Sequence, residues 1–373
     1  ERLRSQLALD PRQQGSAVNN AVRRAALLGS AAIPGLLSWL DPGQGDGSAL
    51  FLSRSSAAAL SLIADASLVP ELVRRTRDGG IFGRWNAVSV LGAIGDSAAE
   101  GPLMDLLDDP DLEVAAMEAL ATAGDEACVE AVARRLSSAS YATRKAALTT
   151  LGAIGTDSCA TAITTFLTGP GSDTLVGQAG QILARMGAVD SMPGLLAALQ
   201  RPGILGSRRV ALLRSVATLA SRNTRTARDT VRPLTSATDR NVRQEAWFTL
   251  HALGDSRAAD SALGPYDDYV KGYPRLPSAF IDRAHVNNRL DRRSKARQDL
   301  KKARSLAEKA GTPLGPDWHI EWAFLLCADR DWKEASATLQ RGRVTTERFL
   351  EHTWRAPFAQ FMKNPESQAW QQR

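Results

Sequence analysis

Residues 84–96 read RWNAVSVLGAIGD and residues 144–157 read RKAALTTLGAIGTD, so Leu-Gly-Ala-Ile-Gly is written twice with an arginine at the same distance before it. The interval, 144 minus 84, is 60 residues. That is too long for one helical hairpin but fits two units of about thirty, the size of small helical repeats. A copy is therefore expected between them. LEVAAMEALATAGD at 112–125 supplies it, with Ala115, Ala119, Leu120 and Ala123 on one face and Gly124 closing it. Gly95, Gly124, Gly155 and Gly187 then follow at intervals of 29, 31 and 32 residues. The next clear closing glycine, Gly254 in DRNVRQEAWFTLHALGD, is 67 residues on, room for two units. RRVALLRSVATLASRN at 208–223 is the blurred one, with Val210, Leu213, Val216 and Leu219 at every third position and Ser221 in place of the glycine. Two looser units lie upstream at 21–40 and 54–76, giving about eight in all.

Each unit divides into an alanine-rich helix, a break at glycine with an aspartate nearby, and a shorter leucine-rich helix such as AAEGPLMDLLDD, where Leu103, Leu106 and Leu107 share a face. Small residues permit neighbouring pairs to approach closely. The glycines after Ile94, Ala123, Ile154 and Met186 are expected to take the left-handed conformation that ends a helix. Pairs that cannot bury their own apolar faces stack side by side into a solenoid.

Arginine is the second regularity: Arg84, Arg144 and Arg243 stand eleven residues before Gly95, Gly155 and Gly254, whereas Glu113 and Val176 hold the matching positions elsewhere. A guanidinium offers several fixed donors, so such a series is expected to bridge to aspartates or helix ends of adjacent units. Lining a surface for anions is the other use open to it.

The sequence resembles the HEAT repeats, and more closely their short bacterial form in the phycobilisome-lyase-like families. DRNVRQEAWFTLHALGD carries the resemblance best, through Asp239, Val242, Arg243, Ala246, Leu250, Leu253, Gly254 and Asp255. RKAALTTLGAIGTD is similar, with a threonine between Gly155 and Asp157. The resemblance covers roughly 17–264 and implies architecture; the families that share it include binding scaffolds, bilin-attachment proteins, DNA-repair glycosylases and an iron-dependent hydroxylase. The pattern stops at LGPYDDYVKGYPRLP, residues 263–277, which reads as a connector. Beyond a strongly charged helix at 289–309, GPDWHIEWAFLLCADRDWKEASATLQRG suggests two antiparallel helices turned at 328–331. That stretch resembles a tetratricopeptide repeat through Trp322, Ala323, Leu326 and Ala335, although the internal glycine of that family is not where its pattern wants it. A last amphipathic helix at 344–361 would cap it with Phe349, Leu350, Trp354, Phe358 and Phe361. The expected fold is thus all-α: a right-handed superhelical α-solenoid of about eight HEAT-like helix pairs (1–264), a connector (265–283) and a small tetratricopeptide-like helical module (284–373).

The chemistry of catalysis is thin. Cys128, Cys159 and Cys327 form no close metal-ligand cluster, and His251, His285, His319 and His352 are isolated. The paired His-Glu motifs of the HEAT hydroxylase, the His-Glu-x-x-His arrangement and the phosphate loop are missing. Glu321, beside Trp322, reads as one carboxylate on a solvated helix face. No enzyme activity, metal or cofactor is therefore expected, and no apolar run reaches the ~18 residues of a membrane helix. A cytoplasmic protein is the expectation; Glu1 is not an initiator methionine, which leaves open a mature chain after removal of a signal sequence.

Charge is unevenly placed. Residues 201–310 hold 23 Lys or Arg against 11 Asp or Glu, a net +12, and the remainder sums to 23 minus 29, or −6. Candidate binding residues are Arg208, Arg209, Arg222, Arg225, Arg228, Arg232 and Arg243 in the last repeat units, with Arg292, Arg293, Lys295, Lys301 and Lys302 around the charged helix. The leading expectation is a noncatalytic protein-interaction scaffold docking an acidic protein partner. Nucleic-acid binding through 201–310 is the alternative, and a cofactor-attachment role suggested by the bilin-lyase-like resemblance ranks third. Local pairing of these cations with Asp282, Asp291 and Asp299 is the bland counter-reading.

Overall fold

The structure is a computed structural model and describes residues 2–8, 11–41, 43, 47–169, 174–220, 225–350 and 356–371. All regular structure among them is helical. The chain divides into two units, Glu1–Leu219 and Ala220–Arg373, each with its own interior.

In the first unit, long helices alternate with short ones. The long helices Pro11–Leu27, Gly47–Ile63, Ile81–Ile94, Glu113–Ala123, Tyr141–Ile154, Val176–Met186 and Gly206–Leu219 form one row, each packed on the next. Between them run the second helices Ile33–Ser38, Val69–Asp78, Glu100–Asp105, Val129–Arg134, Asp157–Thr168 and Met192–Gln200. This is a solenoid of stacked helix pairs, as expected. In chain order the alternation runs eight times over residues 11–272, the last two second helices being Arg225–Val231 and Ala258–Gly272.

The repeated Leu-Gly-Ala-Ile-Gly has a physical reason, because its two glycines do different work. The first lies inside the row of long helices. A Cβ on Gly92 would stand 2.7 Å from the Ala119 Cα, and one on Gly152 would stand 2.5 Å from Ile182 Cγ2, so only glycine lets the next long helix come this close. Thr122 Oγ1 then reaches the Gly92 carbonyl at 2.5 Å, and Thr150 Oγ1 reaches the Met117 carbonyl at 2.7 Å. The second glycine ends the helix: Gly95 and Gly155 have φ of +64° and +75°. Gly187 does the same, but Gly124 does not. It is extended at φ −88°, so the expectation of a left-handed glycine after Ala123 is corrected; Asp125 beside it is extended as well.

The aspartate after the glycine is a cap. Asp96 and Asp125, and Asp65 after Ala64 in an earlier unit, each accept from the backbone N–H two residues on, opening a short 3₁₀ turn that leads into the second helix. In the unit with the intervening threonine, Thr156 caps the second helix directly through Cys159 N–H, and no 3₁₀ turn precedes it.

In the second unit, Arg240–Ala252 pairs with Ala258–Gly272, Pro277–Arg289 with Arg293–Ala310, and Pro316–Ala328 with Trp332–Arg341. The stretch 265–283 carries the end of one helix and the start of another, with a turn between. The hairpin turn after Ala328 falls where the sequence places it. Of the single helix expected at 344–361, Thr346–Leu350 and Ala356–Met362 are helical, residues 351–355 lie outside the described residues, and Pro365–Gln371 follows. Trp354 lies outside the described residues. Phe349, Phe358 and Phe361 are fully buried with Trp370, Phe349 and Trp370 ring centroids being 4.8 Å apart.

Candidate interaction surface

The arginine series serves the stack. Arg84 Nε donates to the Thr76 carbonyl at 2.7 Å, and its Nη2 pairs with Asp109. Arg144 Nη1 donates to the carbonyls of Ser138 and Ala139 at 2.6 and 2.9 Å. Arg243 Nη1 repeats this on Ala237 and Thr238, both at 2.7 Å. Each closes the open carbonyl end of the second helix before it, where no N–H of the helix is left to serve. A second series was not foreseen: Arg135 and Arg201, at the ends of second helices, donate to the carbonyls of Leu107 and Leu167 in the preceding pair. Nothing in the spacing signals it, because these arginines follow no fixed interval from a glycine.

Among the candidate binding residues, Arg208 and Arg209 lie on Gly206–Leu219 of the first unit, and Arg209 Nη2 donates to the Arg201 carbonyl. Arg222 lies outside the described residues. The others belong to the second unit. Arg225 faces Asp229 at 3.7 Å, Arg228 is half-buried on the same helix, and Arg232 pairs with Asp255 at 3.0 Å. Arg243 is held by its carbonyls. Arg292 pairs with Asp260 at 3.0 Å and Arg293 with Asp291 at 2.7 Å. Lys295, Lys301 and Lys302 are exposed and make no ion pair among the described residues.

Helix Arg293–Ala310 presents those lysines because its other face is committed. Ala296, Asp299, Leu300, Ala303 and Ala307 are buried against Pro277–Arg289 and Pro316–Ala328, the three- and four-residue spacing of one helical face. Trp318 Nε1 bonds the Leu300 carbonyl at 2.9 Å and its indole stacks on Trp322, 5.3 Å between centroids. Gly311 at φ +64° ends the helix. The outward face near its first turns borders a cleft of about 410 Å³ lined by Arg293, Ser294, Arg297, Gln298, Lys301 and Asp329. Arg297 spans it to Asp329 at 2.5 Å. Of the candidate residues, Arg293 and Lys301 share this cleft; Arg297, also there, was not among them.

Sequence reasoning also missed a buried polar core around helix Pro277–Arg289. Arg289 (8% exposed) makes a two-point bond to Glu245 (3% exposed) and lies 3.7 Å over the Phe248 ring. Arg283 binds both Asp299 oxygens, at 3.0 and 2.6 Å, and Asp267; these carboxylates hold its guanidinium more firmly protonated than usual, Asp299 most of all. Glu321 is not on a solvated face: it is buried, accepting from Asn288 Nδ2 at 2.7 Å and facing His285 Nδ1 at 2.8 Å. That expectation is corrected. Its helix packs on Pro277–Arg289, so the face read as wet is turned inward. Burial pushes the Asp282 carboxyl above its usual range. Three buried carboxylates bonded to polar side chains of one helix hold that helix to its neighbours.

Residues 102–184 match the HEAT repeats, and residues 83–109 match the PBS lyase HEAT-like repeat. The chain carries HEAT repeats over residues 83–184. No curated protein matches its sequence. Among solved structures, human deoxyhypusine hydroxylase in complex with glycerol is 21% identical, covers 67% of this chain and 94% of its own, and gives a TM-score of 0.31. The complex of CpcE and CpcF of phycocyanin lyase from a Nostoc species is 17% identical, with 70% and 93% covered and a TM-score of 0.34. An engineered protein, 17% identical, covers 97% and 98% with a TM-score of 0.39. Among the described residues of the chain, no helix is long and apolar enough to cross a membrane.

Proposed function

We propose that this protein is a noncatalytic interaction scaffold that docks an acidic protein segment on the outer face of helix Arg293–Ala310. The observation that carries the reading is the division of that helix into a buried alanine-leucine face and an outer face with Lys295, Lys301 and Lys302 exposed and unpaired among the described residues. Exposed like charges repel, so an acidic surface gains by covering them. Arg289, buried on Glu245, and Arg243, closed onto two backbone carbonyls, contribute little to docking.

The test is fluorescence anisotropy of a labelled glutamate-rich peptide, with a duplex oligonucleotide of equal charge measured beside it. Peptide binding that weakens with salt and is lost on replacing Lys295, Lys301 and Lys302 together by Glu, with unchanged circular dichroism, supports the reading. No peptide binding at low ionic strength, or tighter binding of the duplex, overturns it.

A further inference from the structure

The cleft beside helix Arg293–Ala310 narrows the kind of acidic partner, and this inference rests on the docking reading above. Arg293, Arg297 and Lys301 line it at intervals of four residues, and an α-helix rises about 6 Å over four residues. They form a straight row of three cations, with Ser294 and Gln298 as the adjoining row of hydrogen-bonding groups. Two of the three cations already hold acids of this chain. Asp291 sits on Arg293, and Asp329, from the turn that ends helix Pro316–Ala328, sits on Arg297. Both acids are open to water, Asp291 at 76% and Asp329 at 48%. Pairs this exposed hold weakly and exchange readily.

We propose that the cleft receives an acidic helix carrying carboxylates at every fourth position, and that Asp291 and Asp329 are placeholders which the incoming carboxylates displace. The match is one of spacing as well as charge: two helices laid side by side bring groups of equal period into register. Because Asp329 competes with the partner for Arg297, removing its charge strengthens docking rather than weakening it. The affinity of the cleft is therefore set partly by the protein's own acids.

The experiment uses the full chain and two capped alanine-based peptides of about 15 residues, one with three glutamates four residues apart and one with the same composition and the glutamates clustered. Anisotropy is measured at low salt for wild type, Asp329→Asn, Asp291→Asn and Glu308→Gln. Glu308 pairs with Arg304 on the same helix and does not line the cleft, so its replacement adds the same charge elsewhere. The expected result is preference for the four-spaced peptide and a gain of about two- to fivefold for Asp329→Asn and for Asp291→Asn, with a smaller gain for Glu308→Gln. The gains shrink as salt is added. Equal binding of both peptides, or equal gains for Asp329→Asn and Glu308→Gln, overturns the cleft while leaving the basic docking face standing. Loss of all peptide binding in the wild type, or tighter binding of a duplex oligonucleotide, overturns both.

Discussion

Replacing Gly92 by alanine sets two effects of opposite sign against each other, and the structure decides which wins. Alanine is the better helix former by about 1 kcal/mol, so Gly92→Ala in helix Ile81–Ile94 would stabilise if only the helix mattered. The new Cβ, however, would lie 2.7 Å from the Ala119 Cα and 2.9 Å from its Cβ. The nearer atom is backbone and cannot rotate aside, so the long helices must separate. Overpacking of this kind costs about 1–3 kcal/mol, and a backbone obstacle places it in the upper part of that range. The expected net effect is a loss of about 1–2 kcal/mol. Gly101 is the control: it lies in helix Glu100–Asp105 with nothing within 4 Å of an added Cβ, so Gly101→Ala should gain about 0.5–1 kcal/mol. Adding Ala119→Gly to Gly92→Ala removes the farther contact but not the nearer, and should restore part of the loss. Urea unfolding followed by circular dichroism gives the stabilities, and amide exchange in Ile81–Ile94 locates the change. Stabilisation of similar size by Gly92→Ala and Gly101→Ala would refute the close-packing account of the repeated motif.

Arg144→Met should lower the stability of the first unit by about 1–2 kcal/mol by opening the Ser138 and Ala139 carbonyls, with Arg144→Lys recovering only part in thermal unfolding. Breaking the buried pair of the second unit by Arg289→Met removes the two-point cationic partner of Glu245 and should cost about 3–5 kcal/mol, whereas adding Glu245→Leu recovers most of it; a double-mutant cycle in urea checks this. Gly342 and Arg343 divide one job: Arg343 holds φ +48° while a Cβ on Gly342 would meet the His319 ring at 2.4 Å, so Arg343→Gly should be neutral to stabilising and Gly342→Ala destabilising in thermal melts. Asp109 is held below its ordinary range chiefly by its bond to Arg84, so its contribution is complete above about pH 4 and is lost as pH falls through its lowered folded value. Asp109→Asn should flatten that part of the acid limb when urea midpoints are followed against pH.

The solenoid was legible because its constraints are local and recur. A glycine that must be left-handed and a glycine that must admit a neighbouring helix leave few substitutes, so both survive in the text as Leu-Gly-Ala-Ile-Gly. Gly124 shows the limit: the letter repeats, but the residue takes an extended conformation there. The arginine at minus eleven could be read as a bridge to helix ends because its target, the end of the preceding helix, is close in sequence. Arg135 and Arg201 were not legible, since their targets lie 28 and 34 residues away and no periodicity marks them. Glu321 was misread for a related reason. Helix Pro316–Ala328 is apolar nearly all round, so no polar stripe marks its outer face, and the donors that satisfy Glu321 come from Asn288, 33 residues earlier.

The same distinction governs the charge. A net of +12 over residues 201–310 counts ions and says nothing of where their partners lie. In the fold, Arg232, Arg283, Arg289, Arg292, Arg293, Arg297 and Arg304 each meet a carboxylate, and Arg243 is spent on two carbonyls. Arginine closes these contacts because its planar fork matches two acceptors at once, whereas lysine keeps a hydrated point charge on a flexible stem. The cations left facing water on helix Arg293–Ala310 are accordingly lysines, Lys295, Lys301 and Lys302 among them. The docking surface is therefore defined by residue type and exposure as much as by charge: buried arginines such as Arg289 carry the architecture, while the exposed lysines and the weakly held Arg293 and Arg297 remain for a partner.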